Sequence, residues 1–368
     1  MTTIKKVVLT IIISFLVLNN FLNAQWFITK KDLKENNVNY KDFKAAILTY
    51  NGKRLIGYEF LDLQHRKKGY AYALNIIDFD KDKKFKIRNV ALPITFFVGI
   101  TLTNNEREAI VVGNYGTKIL KVDLETLKVT TIFKYKRSQP GFRTGSLVVS
   151  WKNRVFLSGY FYDSNRYWLG DYVVELKILR NKVKFIKKIN LGQIYKSLGA
   201  HPKVMQIVSG DTVYFSFYKR TKSRKRGKKQ RPLMYLVCYH NGRIKTIDRG
   251  YGVGNFAGTD KKIYCSMVYK KDKYETYIKD LNGKSKIKVG KDNISYTYPL
   301  ISDNSKTITF CTVDALGHKM NIFYAREKDG FKRKELLFDA PVGPMKLSGD
   351  GKVYAKLGPN GVRVDFLD

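Results

Sequence analysis

The chain has few of the residues on which most enzyme sites are built. Four histidines and three cysteines occur in 368 residues, and GxSxG, HExxH, P-loop and CxxC patterns are all missing. Nucleophile elbows, zinc-protease helices, phosphate loops and dithiol centres are thereby removed. Cys238, Cys265 and Cys311 are widely spaced, odd in number, and each sits inside an apolar strand-like run. They read as buried free thiols, not as a disulfide framework or zinc site. Acids are scarce too: 31 Asp and Glu stand against 69 Lys and Arg, a formal charge of +38. After residue 24 no long apolar run remains to span a bilayer.

What long apolar run there is opens the chain. Lys5 and Lys6 precede Val7 to Leu18, and Leu22-Asn23-Ala24 ends in a small residue before Gln25. This is the layout of a cleaved signal peptide over residues 1–24, with no cysteine after it to carry a lipid. The mature chain is expected to be exported, periplasmic or at the cell surface or secreted, as a monomer with no transmembrane segment. Loss of Lys5 and Lys6 leaves a formal charge of +36. A field of that sign draws polyanions such as anionic glycans, envelope polymers or nucleic acid, or an acidic protein surface. The competing reading is compositional, with lysine on outer strands keeping sheet edges soluble and unpaired.

One pattern recurs seven times: a polar turn, two polar residues, an aliphatic residue and an apolar run. The aligned aliphatic positions are Leu55, Ile110, Val155, Val213, Ile263, Ile308 and Val353, separated by 55, 45, 58, 50, 45 and 45 residues. A period of this size means an array of one supersecondary unit. Each unit divides into four strands; the second gives Phe96 to Leu102, Ala109 to Gly113, Thr117 to Asp123 and Lys128 to Phe133. Four-stranded units arranged radially make an all-β, seven-bladed β-propeller. The last unit holds only three strands, and Trp26-Phe27-Ile28-Thr29 is expected to supply the missing outer one. Six blades is the alternative if the final unit is partial. The expected division is a closing strand and polar connector over 25–44 and the propeller over 45–368. Fourth strands alternate Lys with apolar residues, as in Lys182-Val183-Lys184-Phe185-Ile186-Lys187, which directs the apolar ones toward the neighbouring blade.

Two stretches resemble known propeller repeats. Tyr298-Pro299-Leu300-Ile301-Ser302-Asp303-Asn304 through Phe310 is similar to the TolB-type repeat, with Asp303 and Asn304 where that repeat has Pro-Asp-Gly. Thr103-Asn104-Asn105 through Val112, continuing to Asp123, resembles the YVTN-type repeat of surface-layer propellers. The resemblance implies an envelope or secreted setting and a recognition role. It speaks to fold more than to activity, because one fold hosts many functions.

Alternating strand direction puts the second-to-third-strand connectors on the same face as the crossovers between blades. The long connectors, Asp62 to Gly69, Tyr160 to Gly170 and Lys219 to Pro232, therefore gather on one face, which is expected to bind. The most extreme carries Lys219, Arg220, Lys222, Arg224, Lys225, Arg226, Lys228, Lys229 and Arg231, nine basic residues in thirteen with no acid. Such a run acts on a polyanion through counterion release; a solubilising insertion and a protease-processing site are the other readings. Crossovers add Arg143, Lys203 and Arg249, interleaved with Phe142, His201, Tyr251 and Tyr296 at the funnel. Tyr167 and Trp168 add an aromatic contact surface. Aromatic and basic groups together suit a sugar ring or base beside an anion.

The first function expected is thus a non-catalytic binding or scaffold module, with no cofactor and no metal. The alternative is an anionic-polysaccharide lyase or hydrolase. Some TolB-like seven-bladed propellers are oligogalacturonate lyases that use several histidines and a divalent metal at the funnel. Here His65, His201 and His318 share the binding face and His240 falls opposite, too few for such a site. Asp163, Asp171, Asp292 and Asp314 are the carboxylates left for catalysis.

Overall fold

The computed structural model describes residues 25–367 apart from 115–116, 135–141, 152–153, 163–167, 181, 191–200, 208–211, 220–232, 241–242, 251, 271–272, 282–285, 290–293 and 295. For β-strand residues between 142 and 219, and a few beyond, often only the backbone is described. Among the described residues the chain forms seven four-stranded antiparallel sheets. A first strand, β1 (Gln25–Thr29), and a short helix, α1 (Lys30–Glu35), precede them.

Sheet 1 contains β2 (Lys44–Leu48), β3 (Arg54–Phe60), β4 (Tyr72–Phe79) and β5 (Phe85–Leu92), with helix α2 (Leu63–Lys67) between β3 and β4. Sheet 2 contains β6 (Phe97–Leu102), β7 (Glu108–Gly113), β8 (Lys118–Asp123) and β9 (Val129–Lys134), each within a residue or so of its expected bounds. Sheet 3 contains β10 (Phe142–Trp151), β11 (Arg154–Tyr162), β12 (Trp168–Ile178) and β13 (Val183–Asn190). Sheet 4 follows with β14 (His201–Ile207), β15 (Thr212–Lys219), β16 (Leu233–His240) and β17 (Arg243–Gly250). Sheet 5 has β18 (Gly252–Gly258), β19 (Lys262–Lys270), β20 (Lys273–Asp280) and β21 (Lys286–Lys288). Sheet 6 has β22 (Thr297–Ile301), β23 (Thr307–Val313), β24 (Lys319–Arg326) and β25 (Lys334–Pro341). Sheet 7 takes β26 (Met345–Leu347), β27 (Val353–Gly358) and β28 (Gly361–Phe366), and its fourth strand is β1. β1 pairs with β28 from Gln25 opposite Asp365 to Thr29 opposite Gly361.

The first strands lie side by side: β2 against β6 and β26, β10 against β6 and β14, and β22 against β18 and β26. Apolar side chains fill the spaces between sheets, so the core is a series of clusters. Ile110, Val112, Val174 and Leu176 join sheets 2 and 3. Cys311, Ile322, Met345 and Tyr354 join sheets 6 and 7, and Trp26, Ile28, Leu48, Leu55, Ile77, Val353 and Val364 join sheet 7 to sheet 1. Burial on both faces explains why middle strands read as continuous apolar runs. All three cysteines are buried and free.

Two expectations are corrected. The connector after β1 is polar in composition yet buries Leu33 of α1, and Val38 and Phe43 of the turns after it, in the sheet 7–sheet 1 cluster, because even isolated apolar side chains gain from leaving water. In β13, Phe185 and Ile186 are 52% and 42% exposed instead of facing a neighbour. The register between β12 and β13 slips at Glu175/Leu176, and a bulge of this kind resets the period-two alternation.

Turns between first and second strands share one chemistry. A Ser or Thr hydroxyl donates to the Asn or Asp side chain two residues later and, in most, accepts the N–H of the entering strand. Thr49 Oγ1 donates to Asn51 Oδ1 (3.1 Å) and accepts from Arg54 N (3.1 Å). Ser302 Oγ does so with Asn304 Oδ1 (2.7 Å) and Thr307 N (2.9 Å), and Ser348 Oγ with Asp350 Oδ1 (2.6 Å) and Val353 N (2.9 Å). Thr103 Oγ1 donates to Asn105 Oδ1 at 2.9 Å. The next residue turns left-handed: Gly52, Glu106, Ser305 and Gly351 have φ of 69°, 54°, 63° and 74°. Glycine is the natural occupant there, and Glu106 is not.

Candidate functional site

Strand direction sets the strand positions of the described basic candidates of sheets 3 and 4 at one end of those sheets. In sheet 4, His201 lies opposite Tyr218, Lys219 opposite Leu233 and Tyr235 opposite Arg249. The starts of β14 and β16 and the ends of β15 and β17 therefore share an edge. Lys203 sits where the β14–β15 register slips, between Pro202 and Val204. Phe142 and Arg143 open β10, paired with Phe161 and Tyr160.

Phe142, Arg143, His201 and Lys203 were expected in crossovers, and they are strand residues. The Tyr160 to Gly170 connector is also shorter than expected, since β11 runs through Tyr162 and β12 starts at Trp168. Extended pairing of aromatic and β-branched residues on both strands explains the difference. Arg249 is exposed at the end of β17. Tyr296 is a correction: it is fully buried, edge-on to Phe310 at 5.1 Å and Phe323 at 6.0 Å, and its hydroxyl accepts from the Arg333 guanidinium at 2.7 Å. An aromatic ring gains more from this packing than from a watery funnel. Arg220, Lys222, Arg224, Lys225, Arg226, Lys228, Lys229, Arg231, Tyr251 and Tyr167 lie outside the described residues, as do Asp163 and Asp292. For Phe142, Arg143, Trp168, Asp171, His201, Lys203 and Lys219 the strand position alone is given.

Of the remaining candidates for acid–base work, His65 pairs with Asp62, the residue that caps α2 (2.9 Å). Asp314 accepts from His318 N at 2.7 Å, and backbone N–H groups, Lys319's foremost, hold its carboxyl below the usual range. Both are caps of local turns. No group of three His, Cys, Asp or Glu among the described residues has the geometry for a metal ion.

The opposite end holds what the sequence reading missed. A cavity of about 1010 Å³ opens there, floored by Ala46, Ile47, Ile100 and Leu347 and rimmed by Tyr50, Asn104, Glu106, Lys261, Asp303, Asn304 and Lys306. Glu106 turns inward and accepts from Tyr50 N at 2.7 Å. Burial raises its carboxyl above the ordinary range, with the charges of Asp303 and Asp350 adding and the Tyr50 N–H opposing. Asp303 is water-accessible yet walled in by protein, and that enclosure raises it too, with Asp260 adding. The signal was present: Glu106 stands where Gly52 and Gly351 stand in equivalent turns.

These turns are tied from sheet to sheet. Asp350 N donates to Tyr50 O (2.8 Å), Asn304 Nδ2 to Asp350 O (2.8 Å) and Tyr214 OH to Thr259 O (2.8 Å), while Thr259 and Ser305 share a hydroxyl pair. A second cavity of about 580 Å³ between sheets 1 and 2 surrounds an ion-pair network. There Arg54 and Arg88 both hold Asp78, and Arg54 reaches Glu125 at 2.8 Å.

No protein-family model and no curated protein matches the chain. Solved structures do. The β-propeller domain of the Trilobed protease from Pyrococcus furiosus, described as having an open Velcro topology, aligns at TM-score 0.52 and 12% identity over 89% of this chain and 98% of that one. A Mycobacterium tuberculosis puromycin-hydrolyzing peptidase aligns at 0.57 and 10% over 92% of this chain, which spans 54% of that length. TolB from Acinetobacter baumannii is more distant, at 0.40 and 15% over 77% of this chain and 63% of that one. The chain is an all-β protein of propeller fold.

Proposed function

We propose that this chain is an exported, non-catalytic seven-bladed propeller that binds a polyanionic partner through its basic crossover end. Each four-stranded sheet is one blade, and β1 completes the seventh after a leader over residues 1–24 is removed. Packing of β26 against β2 and the Asp350–Tyr50 hydrogen bond support the closed arrangement. The observation that carries the binding reading is the register of sheet 4. It joins Lys203, Lys219 and Arg249 at one edge, where the strongly basic 219–231 segment leaves β15 and returns to β16. Lysine and arginine at such density bind polyanions by releasing their counterions, without needing a shaped pocket.

Retention of the mature chain on heparin and on DNA across a salt series tests this, beside a variant with Lys222, Arg224, Lys225, Arg226, Lys228 and Lys229 replaced by serine. The parent is expected to show a steep salt slope. In the variant that slope should be shallower by about 0.7–0.9 for each DNA phosphate it no longer neutralises. Co-elution of parent and variant would end the proposal.

A further inference from the structure

Five sheets send a turn to one opening at the turn end. Tyr50 comes from the β2–β3 turn, Glu106 from β6–β7, Lys261 from β18–β19, Asp303 from β22–β23 and Gly349 from β26–β27, and all of them line the cavity of about 1010 Å³. Its floor is made by inner strands: Ala46 and Ile47 of β2, Ile100 and Leu102 of β6, and Leu347 of β26. Ala46, Ile47, Leu102 and Leu347 are only half-buried, so apolar surface is left for a ligand to cover. A cavity with an apolar floor and a few convergent polar groups is the usual form of a small-ligand site.

The polar groups that converge there are carboxylates without a matching cation. Asp303 makes no hydrogen bond or ion pair among the described residues; enclosure by protein and the Asp260 charge are what act on it. The Glu106 carboxylate takes the Tyr50 N–H through Oε1 at 2.7 Å. The one cation that acts on Glu106 is Arg54, which Asp78 and Glu125 already hold. Lys261 and Lys306 on the rim are exposed, and neither acts on Glu106 or Asp303. The Tyr50 ring is 48% exposed and meets Asp303 over Gly349. A Cβ on Gly349 would stand 2.4 Å from Tyr50 Cδ2 and 2.6 Å from Asp303 Oδ2. A cation beside Asp303 would therefore lie within reach of an aromatic ring as well.

We propose that this cavity takes a primary alkylammonium group, its carbon chain on the apolar floor and its nitrogen between Asp303 and Glu106 beside Tyr50. Two carboxylates that feel each other's charge repel, and a cation between them removes that cost. No third ligand in metal geometry joins them among the described residues, whereas an ammonium needs only acceptors for its three N–H groups. A guanidinium fits less well, since its fork asks for both oxygens of one carboxylate and Glu106 has given one to Tyr50. The positive excess of the chain does not forbid the site. A six-residue strand such as β6 is about 20 Å long, more than twice the Debye length of about 8 Å at physiological salt, so charge at the crossover end is screened from this mouth. The ammonium could be a free alkylamine or a lysine side chain of a peptide, which share this chemistry. The site uses no residue of the polyanion reading, so the two fail separately.

Ligand-observed NMR titration of the mature chain at neutral pH and physiological salt tests the proposal, with pentylamine, Nα-acetyl-lysine amide and the uncharged 1-pentanol as probes. Saturable binding of an amine is expected on the parent and, unchanged, on the six-serine variant. Asp303→Asn, which keeps the shape and removes the charge, is expected to bind the amine about tenfold more weakly, as for a lost charged hydrogen bond. Pentanol should bind the parent at least as weakly as the amine binds Asp303→Asn. Thermal melting separates this loss from misfolding, because Asp303→Asn should melt no lower than the parent without ligand. Tighter binding of the capped lysine than of pentylamine would assign the site to a peptide side chain, and the reverse to a free amine. Equal affinity for pentylamine and pentanol would overturn the proposal, leaving an apolar cavity only. Unchanged amine affinity in the double variant Glu106→Gln with Asp303→Asn would also overturn it, as would absence of saturable binding of either amine to the parent.

Discussion

The two ends of the sheets spend their polar side chains differently. At the turn end, Thr49, Thr103, Ser302 and Ser348 each organise a turn, and the turns bond to one another from sheet to sheet. Arg54, Arg88, Asp78 and Glu125 lock sheets 1 and 2 beside them. At the crossover end, connectors are longer and the sequence sets cations without acids on β14 and in the segment after Lys219, while on β17 Asp248 stands beside Arg249. Apart from Glu106 and Asp303 at its cavity, the turn end is committed to holding the sheets in place. The crossover end is where the proposed polyanion contact would lie.

Breaking the frame should have the largest effect. Gly361 has φ of 134°, and a Cβ there would collide with the Ile28 carbonyl oxygen on β1. Gly361→Ala is expected to cost about 2–4 kcal/mol, read as a lower melting midpoint and faster proteolysis within residues 25–43. A parent-like melt would mean that β1 does not complete the seventh blade.

A paired substitution sharpens the comparison of the two ends. Arg54→Ala takes from Asp78 one of its two guanidinium partners and from Glu125 the nearer one, leaving Arg88 to both, and is expected to lose about 1–3 kcal/mol in chemical denaturation. Arg249→Ala, exposed at the crossover end, should stay within about 0.5 kcal/mol of the parent while eluting from heparin at lower salt. Equal losses of stability would dissolve the distinction.

The smallest effect is expected from Glu106→Gln. Burial raises the folded-state pKa of Glu106, so the folded chain binds that proton more tightly than the unfolded one. The resulting stability is fully present below the unfolded value, about 4.3, and is lost as pH rises through the folded value. Glutamine still accepts from Tyr50 N and has no charge to desolvate. The variant should match the parent at acidic pH and exceed it by less than about 1 kcal/mol at neutral pH. A parent that gains stability as pH rises, relative to the variant, would contradict the burial of Glu106.

Local chemistry was legible in the sequence. Strand bounds of sheet 2, the buried cysteines and the Ser/Thr-x-Asn/Asp turns follow from residue type and short spacing. Glu106 was legible in principle, as the odd residue at a left-handed position. Tyr296 was not, because nothing in its neighbours along the chain tells whether Arg333, 37 residues later, will meet its hydroxyl. Phe185 and Ile186 were misread for a similar reason, since a slip against β12 is a property of two strands and not of one.

The sequence by itself determined the period, the strands, the turns and the excess of positive charge, since each depends on residues within a few positions of one another. Only the tertiary structure decided which charges meet partners. It brought Tyr50 to Glu106 and Arg54 to Glu125, and it buried Tyr296 beside Arg333. Pairing between charges depends on which sheets are neighbours and which strand is innermost, and those distances arise only when separate repeats pack against one another.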